Sequence, residues 1–389
     1  MKEELIKIGV IGLGNCGGQM ADLAAAHGFG AAAMNASQKD LDLLKNDILL
    51  FPVGDGKGTG KSRENSKEFF IQRINMVQDS AFKEFVDNHD CIVIATSTGG
   101  GFGSGSSLVL REILGKLYPN KAIIVAGVLP FDDEGYTAQN HSIEWLQELT
   151  ETEEGSATYM IYDNNIWASK PKQKVCELIN NQFVSDLKVI RGDYINSTTT
   201  GGIDNRDMMT AISAPGRLFI DAIELLEEAD IVDNSIIATI QEHIREHSAH
   251  AQLSDDKVIS ASAMMYTLRE DFAPYTPNLK SELQEAFGVH LNDYDNFADV
   301  PMDFEEQDSV ALLLCGLSQP TLRINRLINK RDKLEEDILG RKHAESKLAA
   351  ASRNKDPRLG LSAKTFASTS TGGASGNASD IINSFLKDK

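Results

Sequence analysis

Two glycine-rich turns, each set between an apolar run and a helical pattern, restrict the fold of this chain more than any other feature. The first, Gly12-Leu13-Gly14-Asn15-Cys16-Gly17-Gly18, follows the apolar run Ile6 to Ile11 and opens a helical pattern to about Ala26. The second, Gly99-Gly100-Gly101-Phe102-Gly103-Ser104-Gly105-Ser106, stands between the apolar run Cys91 to Thr96 and the amphipathic stretch Leu108 to Leu117. Strand, tight turn and helix in that order is the building unit of a parallel sheet covered by helices. A helix start presents free amides and partial positive charge, and glycine lets a ligand approach the backbone, so each turn suits an anion, most simply a phosphate. The bland alternative for the second turn is a flexible loop. A segment so poor in side chains is costly in conformational entropy, and its place at a helix start favours phosphate wrapping.

Further strands are expected at Ala31 to Met34, Ile48 to Val53, Ala122 to Val128 and Thr158 to Tyr162, with helical spacing between them, as at Phe69 to Val77. The fold class expected is α/β: a doubly wound parallel sheet forming a nucleotide-binding domain, joined by a central helix to a smaller α+β domain, then a long C-terminal helix and a disordered tail. The boundaries expected are 1–173 for the first domain, 174–200 for the central helix, 201–320 for the α+β domain, 321–352 for the long helix and 353–389 for the tail. Val175, Ile179, Phe183, Leu187 and Ile190 share a face of the central helix. Asp207 to Glu228 reads as mostly helical with a break at Pro215-Gly216, and Val258 to Arg269 and Val310 to Leu317 read as strands of a second sheet. From Thr321, apolar residues Ile324, Leu327, Ile328, Leu334, Ile338 and Leu348 keep helical spacing. Lys364 to Ser379 is Ser, Thr, Gly and Ala, too little apolar surface to offset chain entropy; Ile381, Ile382, Phe385 and Leu386 then fit one short sticky helix.

The chain has 389 residues, 38 basic and 57 acidic, for a net charge of −19. Thr321 to Lys389 holds 14 basic and 8 acidic side chains, so the tail is a positively charged object on a strongly acidic body. An acidic body repels nucleic acid and anionic lipid, so direct DNA or membrane binding by it is not expected. No apolar run approaches the roughly 18 residues of a membrane span. Glu3 and Glu4 precede the first strand, and no small-residue cleavage site follows, which reads against a signal peptide and for a cytoplasmic protein. Cys16, Cys91, Cys176 and Cys315 lack paired spacing, so neither disulfides nor a metal site is expected from them. His243, His247 and His250 share a helix face beside Glu242 and Glu246, which reads as a polar solvated face without metal-ligand order.

Three readings compete for the first turn. In a NAD-dependent dehydrogenase an acidic residue about 20 positions on should hold the ribose, but the second strand ends at Asn35. That reading also leaves the second glycine turn unemployed. The run Gly54-Asp55-Gly56-Lys57-Gly58-Thr59-Gly60-Lys61-Ser62 misses the P-loop register, because Asp55 stands where glycine is needed. A loop approaching the terminal phosphate of a nucleotide held elsewhere fits it better. A nucleotide-binding scaffold that does not hydrolyse would keep both turns.

The second turn, GGGFGSGS after a strand, resembles the signature of the tubulin/FtsZ superfamily, and the motif order agrees along the chain. Gly12, Gly14, Asn15, Gly17, Gly18 and Gln19 match the first phosphate loop, Asn35 the second, and Gly58, Thr59, Gly60 and Lys61 the third. Gly99, Gly100, Gly101, Phe102, Gly103, Ser104 and Gly105 match the signature, and Leu129-Pro130-Phe131-Asp132-Asp133-Glu134 the sugar loop. Within the superfamily the chain is most similar to the TubZ branch, through Tyr162-Asp163-Asn164, Ser213-Ala214-Pro215-Gly216 and Cys315-Gly316-Leu317. The resemblance implies GTP or GDP as ligand, with Mg²⁺. It implies that Glu134 binds ribose hydroxyls and that Asn164 and Asn181 read the base, an amide offering guanine both a donor and an acceptor. It departs from the pattern at Phe102, which replaces a hydroxyl residue, while Ser104 and Ser106 retain theirs.

In the family the hydrolytic residues lie on an NxDxxD loop that enters the neighbouring subunit's pocket. Here the loop reads Gly202-Ile203-Asp204-Asn205-Arg206-Asp207, so Asp204 and Asp207 are the catalytic carboxylates implied, with glycine in place of asparagine. Asp204 also suits a helix cap. The resemblance therefore implies a GTPase that assembles head to tail into filaments and hydrolyses GTP at the subunit interface, driving plasmid or phage DNA segregation. Its partners are then other copies of itself and, through the tail, an adaptor protein bound to DNA, with Arg353, Lys355 and Arg358 adding attraction. A tail that only solubilises is the plain alternative.

Overall fold

Every residue of strand β1 (Ile8–Leu13) is buried, and a strand without a polar face must be covered by helices on both sides. The computed structural model describes residues 5–150, 157–193, 205–225, 236–252, 258–259, 261–267, 290–291, 297–302 and 308–353. β1 pairs in parallel with β2 (Gly30–Asn35) on one side and, across Val10↔Val93, with β4 (Cys91–Ser97) on the other. β3 (Leu49–Pro52) extends the sheet beyond β2, and β5 (Ala122–Leu129) and β6 (Thr158–Asp163) extend it beyond β4, giving the order β3-β2-β1-β4-β5-β6. The chain therefore leaves β1 toward one edge and leaves β4 toward the other. The crevice outside the carboxyl ends of β1 and β4 is the point where ligands bind in open α/β sheets.

The helices follow the strands. α1 (Gly14–Ala26) leaves β1, the short α2 (Gln38–Leu41) leaves β2, and α3 (Arg63–Gln72) and α4 (Ser80–Asp87) precede β4. α5 (Phe102–Leu117) leaves β4, α6 (Tyr136–Thr150) leaves β5 and α7 (Lys172–Arg191) leaves β6. Met20 and Ala24 of α1 and Ile179, Phe183 and Ile190 of α7 cover one face of the sheet over Val10, Val93, Ile124 and Met160. On the other face Phe70, Phe82, Leu110 and Ile113 pack on Ile11, Leu13, Ile92 and Ile94, and Trp145, Leu146 and Leu149 of α6 pack on Val125, Tyr159 and Ile161.

α7 runs the height of the sheet, about 30 Å for 20 residues. It starts near the carboxyl ends, where Lys172 pairs with Asp133 at 2.7 Å, and ends at the opposite edge, where the Arg191 carbonyl accepts from the Ile6 amide at 3.2 Å. Gly192 closes it in the left-handed conformation, φ 90°, which glycine adopts without cost.

Two expectations are corrected beyond α7. Asp207 to Glu228 is not mostly helical: α8 (Asn205–Ile212) is short, and Gly216–Leu225 is strand β7. Leu218, Phe219, Ile220 and Ile223 are all buried, as a central strand requires, and apolar residues so dense fit helix and strand templates equally well. Nor do the later strands make a wholly separate sheet. β7 joins β6 in parallel through Thr158↔Gly216 to Met160↔Leu218, then continues antiparallel to β12 (Asp308–Leu317) and on to β9 (Ala261–Thr267) and β11 (Phe297–Met302), for ten strands in one sheet. Among the described residues only β8 (Val258–Ile259) and β10 (His290–Leu291) pair apart from it.

The C-terminal helix spans Thr321–Arg353. Leu327 is fully buried against Leu108, Trp145 and Leu146, with Ile324 and Ile328 beside it, whereas Ile338 and Leu339 are exposed. The amphipathic pattern is thus used over the first two turns. The tail, 354–389, lies outside the described residues.

Candidate functional site

The two glycine turns meet at the crevice between β1 and β4. A methyl group on Gly14 would lie 3.4 Å from the Gly103 nitrogen, so the starts of α1 and α5 are in contact. The glycines are required by this closeness. A Cβ on Gly12 would stand 2.1 Å from the Gly17 carbonyl oxygen, one on Gly17 2.0 Å from that of Ala95, and one on Gly103 2.1 Å from Thr96 Oγ1 and 2.7 Å from the Leu13 carbonyl oxygen. Neither helix start is closed by a side chain: Leu13 precedes α1 and Gly101 precedes α5, and neither supplies a capping hydrogen bond. By contrast Ser37, Ser62 and Asp79 cap α2, α3 and α4. First-turn amides left open at two touching helix starts form an anion cradle.

The third loop closes over this cradle. A Cβ on Gly101 would meet Thr59 Oγ1 at 2.4 Å and Lys61 Cα at 2.7 Å. Gly54, Gly56, Gly58 and Gly60 all have positive φ, and so does Lys61 at 61°, the one such non-glycine among the described residues. A lysine held there costs on the order of 1 kcal/mol or more, and strain of that kind gathers at ligand clamps. Asn35 works one step back from the ligand. Its Oδ1 accepts from the Ser37 amide at 3.1 Å and its Nδ2 donates to Asp40 at 3.2 Å, which fixes the turn to which Gly58 is tied through the Ala36 carbonyl at 2.8 Å.

From the cradle a cleft runs along α1 to α7. It encloses about 610 Å³ and is lined by Gln19, Asp22 and Leu23, by Leu43 to Asn46, and by Glu177, Asn180 and Asn181. Glu177 and Asn181 sit four residues apart and so share a face of α7. Asp22 anchors the far wall by accepting from the Lys45 and Asn46 amides at 2.9 and 2.8 Å. Glu134 lies between α1 and α7: its Oε1 accepts from the Phe131 amide at 2.9 Å, and its charge acts on both Cys16 and Cys176. Burial, and after it the charges of Cys176 and Glu134, push the Cys16 thiol up to about 12, so it stays protonated and is no nucleophile. Asn164 is 91% buried, and its Oδ1 has no hydrogen-bond partner among the described residues. An orphan amide oxygen is a cost unless a ligand donor fills it, as the edge of a guanine can.

A guanine nucleotide could be met here by the helix-start amides at its phosphates and by the open Asn164 Oδ1 at its base, while Lys61, Glu134 and Asn181 are the further groups that the family resemblance implies. Among the described residues no group of three or more His, Cys, Asp or Glu is placed to hold a metal.

Some residues turn out otherwise than expected. Phe102 points into the core with Leu13, Met34, Val53 and Phe70, so only its backbone can serve the site. The Ser104 and Ser106 hydroxyls are buried and donate to backbone carbonyls four residues back, Ser104 to Gly100 just before the helix and Ser106 to Phe102 at 2.6 Å, which directs them away from a phosphate. Asp204 and Gly202 lie outside the described residues. Asp207 is exposed in the first turn of α8. His250 is not on the helix Ile236–His247 and is not solvated: it is buried, 2.8 Å from Asp186, which also accepts from Tyr162 Oη at 2.5 Å. Burial pushes the Asp186 carboxyl up. Sequence reasoning also missed Asn165, Arg323, Lys45 and Asn46, whose roles depend on partners distant in the chain.

An uncapped pair of helix starts at a sheet crossover, with an amide-lined cleft beside it, is the arrangement of an α/β protein built to hold an anion such as a phosphate. Residues 7–169 match the family model described as "Tubulin/FtsZ family, GTPase domain". A tubulin-like protein CetZ of Pyrococcus abyssi is 28% identical over 225 residues, 56% of each chain. A tubulin-like protein TubZ of a Clostridium botulinum C phage is 27% identical over 188 residues, covering 47% of this chain and 49% of its own. The chain thus spans about half the length of the curated relatives it matches. Among solved structures, a GTPγS-form protofilament of TubZ from Bacillus thuringiensis serovar israelensis aligns with a TM-score of 0.69 and 18% identity over 90% of this chain and 96% of that one, which shows the shared fold. Relatives fall in both the CetZ and TubZ groups, so these matches do not single out the TubZ branch.

Among the described residues no helix is long and apolar enough to cross a membrane.

Proposed function

We propose that the chain is a GTPase that assembles head to tail and hydrolyses GTP where one copy meets the next. The observation that carries this is the placement of Asp207. α8 ends where the Ala214 carbonyl accepts from Thr158 Oγ1 at 3.1 Å, at the amino end of β6, and the helix is about 12 Å long. The glycine turns lie at the carboxyl ends of strands of six or seven residues, about 20 Å away along the sheet. Asp204 and Asp207 therefore serve the phosphate end of a second copy rather than that of their own. Such a contact uses two different surfaces and repeats without closing, which yields a filament. The relative solved as a GTPγS-form protofilament supports the same reading.

The carboxylates position and polarise water for attack on the γ-phosphate, and the amides of Gly14 to Cys16 and of Gly101 to Gly103 spread the developing charge. A Mg²⁺ ion bound with the phosphates would supply further neutralisation of that charge. The test is GTP turnover per chain against chain concentration, with sedimentation read in parallel.

The finer reading is DNA segregation in the manner of the TubZ branch, with residues 353–389 joining the filament to a DNA-bound adaptor. Its support is the basic tail on an acidic body and the exposed outer part of the C-terminal helix. Deleting 353–389 then leaves sedimentation with GTP unchanged and removes adaptor capture; capture that survives the deletion contradicts the tail's role.

A further inference from the structure

We infer that Arg323, on the first turn of the C-terminal helix, is a positioning residue of the nucleotide site, holding in register the loop that carries Glu134 and the loop that carries Asn164. This rests on the nucleotide reading above and extends it to a part of the chain outside the matched GTPase domain.

Arg323 is 7% exposed. Its Nε donates to Asp163 Oδ2 at 2.8 Å, directly before Asn164, and one terminal nitrogen donates to the Pro130 carbonyl at 2.8 Å. The other terminal nitrogen lies 3.2 Å from Asp132 Oδ1, two residues before Glu134, and Arg326 pairs with the same carboxylate. A planar guanidinium with donors on three sides can bind both loops at once, which an ammonium cannot. Asn165 braces the same pair: its Nδ2 donates to the Pro130 carbonyl at 3.0 Å and its Oδ1 accepts from the Asp132 amide at 2.9 Å. Neither residue touches the cradle of glycine amides. Both lie behind the ribose and base contacts, so their loss disturbs those contacts and leaves phosphate binding alone. Removing the arginine also leaves the buried Asp163 Oδ2 without its cationic partner, with only Asn165 holding the carboxylate through Oδ1, which moves the loop.

The experiment measures the dissociation constants of GDP and of 2′,3′-dideoxy-GDP on the full chain, below the concentration of assembly, for the unaltered protein, Arg323→Ala and Arg323→Lys. The unaltered chain should prefer GDP by at least about tenfold, the worth of a charged hydrogen bond to the ribose. In both variants both ligands should weaken through the disturbed base contact, and GDP by about tenfold more than dideoxy-GDP, so that the preference collapses toward one. A purely structural arginine would weaken both ligands equally and keep the ratio. Arg323→Lys keeps the charge and guards against an unfolded alanine variant. An unchanged ratio in the lysine variant overturns the inference alone, as does an unaltered chain that binds both ligands equally. No binding of GDP to the unaltered chain overturns the nucleotide reading itself.

Discussion

Replacing Asp204 by alanine lowers GTP turnover by roughly 10²- to 10⁴-fold, the usual worth of a positioned acid or base, and leaves GTP and GDP affinity on isolated chains within about twofold. The two effects separate because of where the residue sits. Met208 and Ile212 bury the inner face of α8, Asp207 is exposed at its start, and Asp204 immediately precedes the helix. The chain just past α8 is tied to the amino end of β6, at the opposite end of the sheet from the glycine turns, and on the head-to-tail proposal Asp204 serves a second copy. A residue so placed cannot contribute to binding in a single chain. The alternative, that Asp204 only caps α8, predicts a loss of about 1 kcal/mol in stability and no specific loss of turnover. Comparing turnover at saturating GTP with thermal stability distinguishes the two. Undiminished turnover removes Asp204 from the mechanism.

Gly103→Ala should weaken nucleotide binding by roughly 10- to 10³-fold, equivalent to one or two charged hydrogen bonds. The added methyl would stand 2.1 Å from Thr96 Oγ1 and 2.7 Å from the Leu13 carbonyl oxygen. The second contact is backbone, at the start of α1, so relief of the clash separates the two helix starts that form the cradle. Gly115 lies in the same helix, and a Cβ there meets nothing within 4 Å. Gly115→Ala therefore serves as the control, adding about 0.5–1 kcal/mol of stability by helix propensity and leaving affinity alone. Equal affinities for the two variants would mean that the cradle is not where phosphate binds.

The part of the fold that positions this site was legible because its signals are local. Glycine runs mark the turns after β1 and β4, and apolar runs mark strands buried on both faces. What was not legible depended on contacts between distant segments. Gly216–Leu225 read as helix because Leu218, Phe219, Ile220 and Ile223 suit either period, and its place beside β6 rests on three residue pairs. Phe102 was assigned to the ligand by its place in a motif, although its apolar ring already favoured the core. Ser104 and Ser106 show the converse, since a hydroxyl inside a helix can satisfy itself on the preceding turn. Arg323 looked like one more charge on an amphipathic helix. Asp132 and Asp163 were visible in the sequence, but nothing local connects Asp163 to a residue 160 positions on, and Asp132 is farther still. His250 was grouped with His243 and His247 by helical spacing, and the helix ends at His247.

The central claim is that each chain supplies only half of a hydrolytic site. Phosphate release per chain, measured across a dilution series of the purified protein with GTP, tests it most directly. The rate per chain should lie close to zero at low concentration and climb steeply once sedimentable polymer forms. A rate per chain that stays constant down to concentrations at which only monomers sediment would contradict it.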